Sequence, residues 1–117
     1  MRNISFSLTE SQFLDGSKTV TRRLGWKFLK PGDRLMGCRK CMGLKPGESI
    51  VRLGAVEVVS VRFEALSCMI VDPEYGREEA IKEGFPQMTG KEFVAMFRSH
   101  MKATPARLVT RIEFLHV

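Results

Sequence analysis

The chain has 117 residues, 44% of them hydrophobic and 27% charged, with a net charge of +6. That length suits one compact domain with its own core, and no apolar run approaches the ~18 residues of a membrane span, which excludes a membrane-spanning helix. Three cysteines, an odd count, argue against a disulfide framework, and the absence of an apolar leader after Met1-Arg2-Asn3-Ile4-Ser5 fits the same reducing compartment, so a cytoplasmic protein is expected.

Ile4, Phe6 and Leu8 alternate with Asn3, Ser5 and Ser7, the period-two pattern of a half-buried strand. Thr9-Glu10-Ser11-Gln12 reads as a capping box, with Leu8 and Phe13 at the two positions of a hydrophobic staple. The helix it opens is short, because Gly16 is a natural left-handed stop. From that stop emerges Gly16-Ser17-Lys18-Thr19-Val20-Thr21-Arg22-Arg23-Leu24, the stretch densest in groups that bind phosphate or do chemistry. Thr19-Val20-Thr21 is β-branched throughout and favours extended backbone. Lys18 and Thr21 are three apart, which places them on opposite sides of a pure strand and on one side of a helix; a turn-to-strand junction could bring them together.

The positive charge is local. Residues 18–40 hold eight Lys or Arg and one acid, Asp33, so this segment carries +7, while the remaining 11 basic and 12 acidic residues carry −1. Such a patch concentrates an anionic ligand, nucleic acid or nucleotide; the plainer reading is a solvated basic face. Trp26 and Phe28 lie in a connector, half-buried or available for stacking. Pro31-Gly32-Asp33 is a turn, and a strand is expected over Arg34–Cys41. Gly43 to Ser49 reads as a surface loop. Val51–Phe63 carries the strongest strand signal, and its phase slips at Val58-Val59, which predicts a bulge or bend of the kind a small closed barrel needs.

Asp72-Pro73-Glu74 starts a helix that stops at Gly84. Thr89-Gly90-Lys91-Glu92 is a second capping box, opening a helix with Phe93, Met96, Phe97 and Met101 on one face, read as core. Leu108–Val117 alternates again, with Leu108, Ile112 and Phe114 opposite Arg111 and Glu113, and closes the sheet. The order of elements predicts an α+β fold: a small mixed β-barrel flanked by three short helices, in one domain over residues 1–117. No Gly-rich phosphate fingerprint is present.

Cys38-Arg39-Lys40-Cys41 has the C-x2-C spacing of half a zinc site. Cys68, His100 and His116 match no standard spacing for the other half, so neither a metal nor a cofactor is expected. His100 and His116 read as ordinary surface or capping residues. Glu83 places a carboxylate at a helix C-terminus, where the macrodipole disfavours it; that leaves two readings, a surface Glu on a frayed end or a role outside the helix.

Gly16-x-Lys18-x-x-Thr21-x-Arg23 resembles the G-x-K-x-x-T-x-R signature of the ASCH family of the PUA-like superfamily. Pro31-Gly32-Asp33-Arg34-Leu35, Val56 to Val61, Glu83-Gly84-Phe85 and Thr89 to Phe97 resemble its later segments in order, so the resemblance covers most of the chain. It implies a PUA-like barrel with a cleft lined by the signature, and a ligand that is RNA or a modified nucleoside. One branch of the family hydrolyses the amide of N4-acetylcytidine with a lysine, a threonine and a glutamate. Matched motif to motif, these fall on Lys18, Thr21 and Glu83, with Arg22, Arg23, Lys40 and Trp26 as candidates to bind phosphate or stack on a base. The chain departs from that branch in its longer loop over residues 38–49 and in Arg22, where the branch carries an apolar residue. A binding module without turnover, or an RNA-cleaving enzyme, are the competing expectations.

Overall fold

The computed structural model describes residues 1–117. The alternating N-terminal segment gives strand β1 (Arg2–Ser5), and a short helix α1 (Glu10–Leu14) follows it, stopped at Gly16 with φ +82°. The β-branched run opens β2 (Val20–Arg23), then come β3 (Arg34–Cys38) and the 14-residue β4 (Arg52–Ala65). Helices α2 (Cys68–Val71), α3 (Pro73–Lys82) and α4 (Gly90–Met101) precede the closing strand β5 (Leu108–His116).

The helices number four, not three. The extra one, α2, is a single turn whose Ile70 and Val71 carry no helix signal. It forms because Met69 is buried against Ala80, Phe93 and Phe97 of α3 and α4, a tertiary cause that local propensity does not contain.

The five strands form one sheet in the order β1-β3-β4-β5-β2, with β1 parallel to β3 and the other pairs antiparallel. The expected slip in β4 is a bulge: Val58 pairs with Phe114 and Ser60 with Glu113, leaving Val59 between them without a partner. It changes which alternate residues face inward, so Val56 and Val58 before it share a face with Val61 and Phe63 after it. The sheet curls around a core of Ile4, Phe6, Phe13, Leu35, Val56, Val58, Ile112 and Phe114. Its other face meets the helices over a second core that includes Leu66, Met69, Phe93, Phe97 and Val109. Full burial of each such side chain is worth roughly 1.5–3 kcal/mol.

The first helix departs from its reading in two ways. Thr9 makes no side-chain cap bond; Gln12 instead donates through Nε2 to the Gly84 carbonyl at 3.1 Å, tying α1 to the end of α3. Leu8 is exposed and staples nothing, because Phe13 turns inward to stack on Phe6 with ring centroids 4.6 Å apart. The second capping box forms as expected, with Thr89 and Glu92 bonded reciprocally. The two sheet edges, β1 and β2, come together across an open seam, where the Arg23 guanidinium donates to the Ser5 carbonyl. That seam is where the signature residues gather.

Candidate functional site

Lys18 stands in the turn before β2 and is clamped from three sides. Its N–H donates to the Gln12 carbonyl at 3.1 Å, and its carbonyl accepts from His116 Nε2 at 2.8 Å. The next residue, Thr19, donates to the Lys82 carbonyl at 2.9 Å. Here the turn-to-strand junction does what the spacing alone left open: Lys18 and Thr21 line the same cleft. Along β2 alternate side chains share a face, so Thr21 and Arg23 face the cleft together. Glu83 caps the end of α3, and its carboxylate turns inward rather than to solvent.

The cleft has a volume of about 150 Å³, the size that accepts one benzene-like ring. Lys18, Thr21, Arg23 and Glu83 form its polar side; Phe6, Phe85, Phe93 and Phe97 supply much of the apolar side. Lys18 Nζ donates to Glu83 Oε1 at 2.9 Å and to the Glu83 carbonyl at 2.7 Å. Thr21 Oγ1 accepts from Arg23 Nε at 3.0 Å. The Arg23 guanidinium also lies 5.0 Å from the centre of the Phe6 ring, within cation–π range.

Arg22 points the other way, into an ionic network under the cleft. Its Nη1 donates to Glu83 Oε2 at 3.1 Å, and its Nη2 to Glu79 Oε1 at 2.6 Å, Glu64 Oε1 at 3.1 Å and Tyr75 Oη at 3.2 Å. In the β2–β5 register Arg22 sits directly opposite Arg111, a repulsive pairing on its own. Glu79 resolves it by accepting from both, with Arg111 Nε at 2.5 Å and Arg111 Nη2 at 3.2 Å. The buried cations Lys18, Arg22 and Arg111 thus face Glu64, Glu79 and Glu83 and balance them, and the exposed Arg62 and Lys82 reach Glu64 and Glu79 from the rim.

Arg23 is the cation outside that balance: both of its protein partners, Thr21 Oγ1 and the Ser5 carbonyl, are neutral. Burial holds its guanidinium down to about 10, still above physiological pH, so it stays charged. Burial also lowers the Lys18 ammonium below its ordinary 10.5; Glu83 pulls against that, while Arg23 and Arg22 add to it. Burial would raise Glu79, but hydrogen bonds from Arg111 and Arg22 override it and hold the carboxyl at about 2. The site therefore holds a partly destabilised amine beside a carboxylate, an adjacent hydroxyl, and one cation with no anion of its own.

Of the residues expected from sequence, the structure brings together Lys18, Thr21, Glu83 and Arg23. Arg22 touches the cleft, but its side chain is fully buried and both of its terminal nitrogens bind carboxylates, while Nε has no partner and no exposure, so it offers nothing to a ligand phosphate at the surface. Trp26 packs against the barrel core and Lys40 is exposed on the loop after β3; neither lines the cleft. The α4 stripe read as core has two jobs: Phe93 and Phe97 are core, and with Met96 and Met101 they also wall the cleft. Glu79, Arg111, Tyr75 and His116 were not singled out for the site by sequence. For Glu79 and Arg111 a signal existed, an acid on the helix before Glu83 and an arginine on the sheet face turned away from the barrel core. Cys38 is buried with Sγ donating to the Met36 carbonyl, and Cys68 is exposed.

No family model and no curated protein sequence matches the chain. Solved structures do. Protein EF3133 from Enterococcus faecalis V583, assigned to the family model DUF984, aligns with a TM-score of 0.61 at 14% identity, over 99% of this chain and 79% of that one. A mutant of the ZmASCH protein from Zymomonas mobilis aligns with a TM-score of 0.57, also at 14% identity, over 97% of this chain and 66% of that one. The chain spans just under two thirds of the length of ZmASCH. These likenesses show the fold: an ASCH-like curled sheet with flanking helices.

Proposed function

We propose that the seam cleft receives the base of an RNA-type nucleoside and removes an acyl group from it, as an amidohydrolase acting on an acylated cytidine. One observation carries this reading: an amine, a hydroxyl and a carboxylate from distant parts of the chain converge in a cleft the size of one ring, walled by phenylalanines. The chemistry follows from the groups. Lys18 acts in its neutral amine form, which burial favours: its Nζ takes the Thr21 hydroxyl proton, and the alkoxide attacks the acyl carbon. The proton passes over the 2.9 Å contact to Glu83 Oε1 and on to the departing amine as the C–N bond breaks. Arg23, the cation without an anion, faces the charge that develops on the acyl oxygen. Water then cleaves the acyl–threonine ester by the same route in reverse.

Incubation with N4-acetylcytidine, followed by chromatography, tests it. The wild type releases cytidine, and Lys18→Ala lowers the rate by about 10²–10⁴-fold, the range expected for loss of a general base. Absence of cytidine, or undiminished turnover in the variant, refutes it. A second reading, recognition without turnover, is favoured by one specific feature. Both protein contacts of Lys18 Nζ go to Glu83, and no hydrogen bond joins it to Thr21. That reading predicts nucleoside binding with no product and no shortened RNA.

A further inference from the structure

The cleft holds one ring and little else. Ligand pockets commonly run to ~300–1,000 Å³, so at about 150 Å³ this one leaves the sugar and phosphate of any bound nucleotide outside. Where they would go is marked by the sheet register. Arg23 at the cleft pairs with Thr110 on β5, and Thr110 pairs with Phe63 on β4, so the three form one row on one face of the sheet. With strands ~4.8 Å apart, Arg23 and Phe63 lie about 10 Å from each other along this row; Thr110 between them is buried and its hydroxyl donates to the Gly25 carbonyl, so a chain of linked nucleotides spans the distance by passing over the exposed Gly25.

At its far end lies a second, larger depression of about 640 Å³. It is lined by Lys27, Phe63, Arg107, Leu108 and Thr110, and by no acid. The chain leaving β2 forms the wall between the two: Arg23 lines the cleft and Gly25 the groove. Lys27 and Arg107 are exposed, and neither enters an ion pair. Phe63 is 53% exposed and Leu108 65%, apolar surface left in water between two cations. An aromatic face flanked by unpaired cations is the arrangement on which a base stacks while its phosphates are neutralised.

Resting on the reading that the cleft takes a nucleobase, we infer that the ligand is a single-stranded RNA segment rather than a free nucleoside. One base enters the cleft, a flanking nucleotide occupies the Phe63 groove, and the backbone between them passes Arg23, Lys27 and Arg107.

Fluorescence-detected titration with cytidine 5′-monophosphate and with a tetracytidylate RNA tests this, on the wild type and on the surface variants Lys27→Ala/Arg107→Ala and Phe63→Ala. The tetranucleotide binds the wild type about tenfold or more tighter than the mononucleotide, the size of one added base stack. Both variants lose that advantage and keep the mononucleotide affinity. The double variant also flattens the salt dependence of tetranucleotide binding by about 1.4 in log–log slope, for two lost phosphate contacts on a single strand. Equal affinity for the two probes, or an advantage that survives in the variants, overturns the proposal and leaves the cleft reading standing. Failure of both probes to bind overturns the two together.

Discussion

Arg22 and Arg23 are neighbours in sequence and opposites in role. Strand alternation sends one under the site and the other into it. Arg22 holds Glu83 Oε2, leaving Oε1 to Lys18, and so fixes the orientation of that carboxylate. Removing it leaves Glu83 Oε2 without its donor and takes one of the buried cations from Glu79 and Glu64, while Lys18 and Arg111 remain. Arg22→Ala is therefore expected to lower unfolding stability by about 3–5 kcal/mol, the cost of breaking a buried ion pair. Arg23→Ala, which leaves only neutral groups behind, costs less stability and removes ligand binding. Urea denaturation of the two variants distinguishes them, and equal losses would contradict this division. Sequence alone places both in one basic patch, since composition counts charges without regard to the side of the strand they occupy. That Lys18, Thr21, Arg23 and Glu83 share one cleft was legible through the resemblance of the signature, since the spacing of Lys18 and Thr21 only permitted it and the position of Glu83 only hinted at it. Glu79 and Arg111 were marked only by an acid on the helix before Glu83 and an arginine on the outer sheet face, and each looks like an ordinary surface residue until the other is seen opposite it.

Elements in this fold are fixed as much by what they touch as by their own pattern. The strands, the Val59 bulge and the Thr89 cap were readable, since alternation, phase slip and capping chemistry are local. The Thr9 box and the α2 turn were not, because Gln12 finds a better partner in the Gly84 carbonyl and Met69 draws its turn into the helical core. Gly76 shows the same dependence. Mid-helix glycine is a liability of about 1 kcal/mol against alanine, yet it sits in α3 facing Gly90 of α4. A methyl on Gly76 would overlap the Met69 carbonyl oxygen and come within 2.9 Å of the Gly90 Cα, both rigid backbone. Gly76→Ala is thus expected to destabilise by about 1–3 kcal/mol despite its better helix propensity, the usual penalty for forcing a methyl into a packed contact. A denaturation midpoint raised by this substitution would show that α3 and α4 do not pack through their glycines.

At the scale of the whole molecule, the ionic network joins the curled sheet to the helical layer. Arg22, Arg111 and Glu64 come from β2, β5 and β4, while Tyr75, Glu79 and Glu83 come from α3 and its end. Glu79 sits at its centre, and its carboxyl falls from 4.5 to about 2 on folding. A depressed carboxylate contributes stability that is complete above its unfolded value and is lost as pH falls through its folded one, because the unfolded chain takes up the proton first. The shift corresponds to roughly 3 kcal/mol, withdrawn between pH 4.5 and about 2. Lys18 acts with the opposite outcome at the alkaline end. Its lowered ammonium leaves the unfolded chain binding more protons, so stability rises with pH from its folded value up to 10.5. For Glu79, urea denaturation near pH 6 and near pH 3 is expected to show a loss of about 2 kcal/mol from this one group. The loss should be little changed by 0.5 M salt, because buried pairs are weakly screened. In Glu79→Gln the neutral-pH stability falls and the acid slope becomes shallower. An acid slope equal in variant and wild type would mean that the two layers are held by their apolar cores alone.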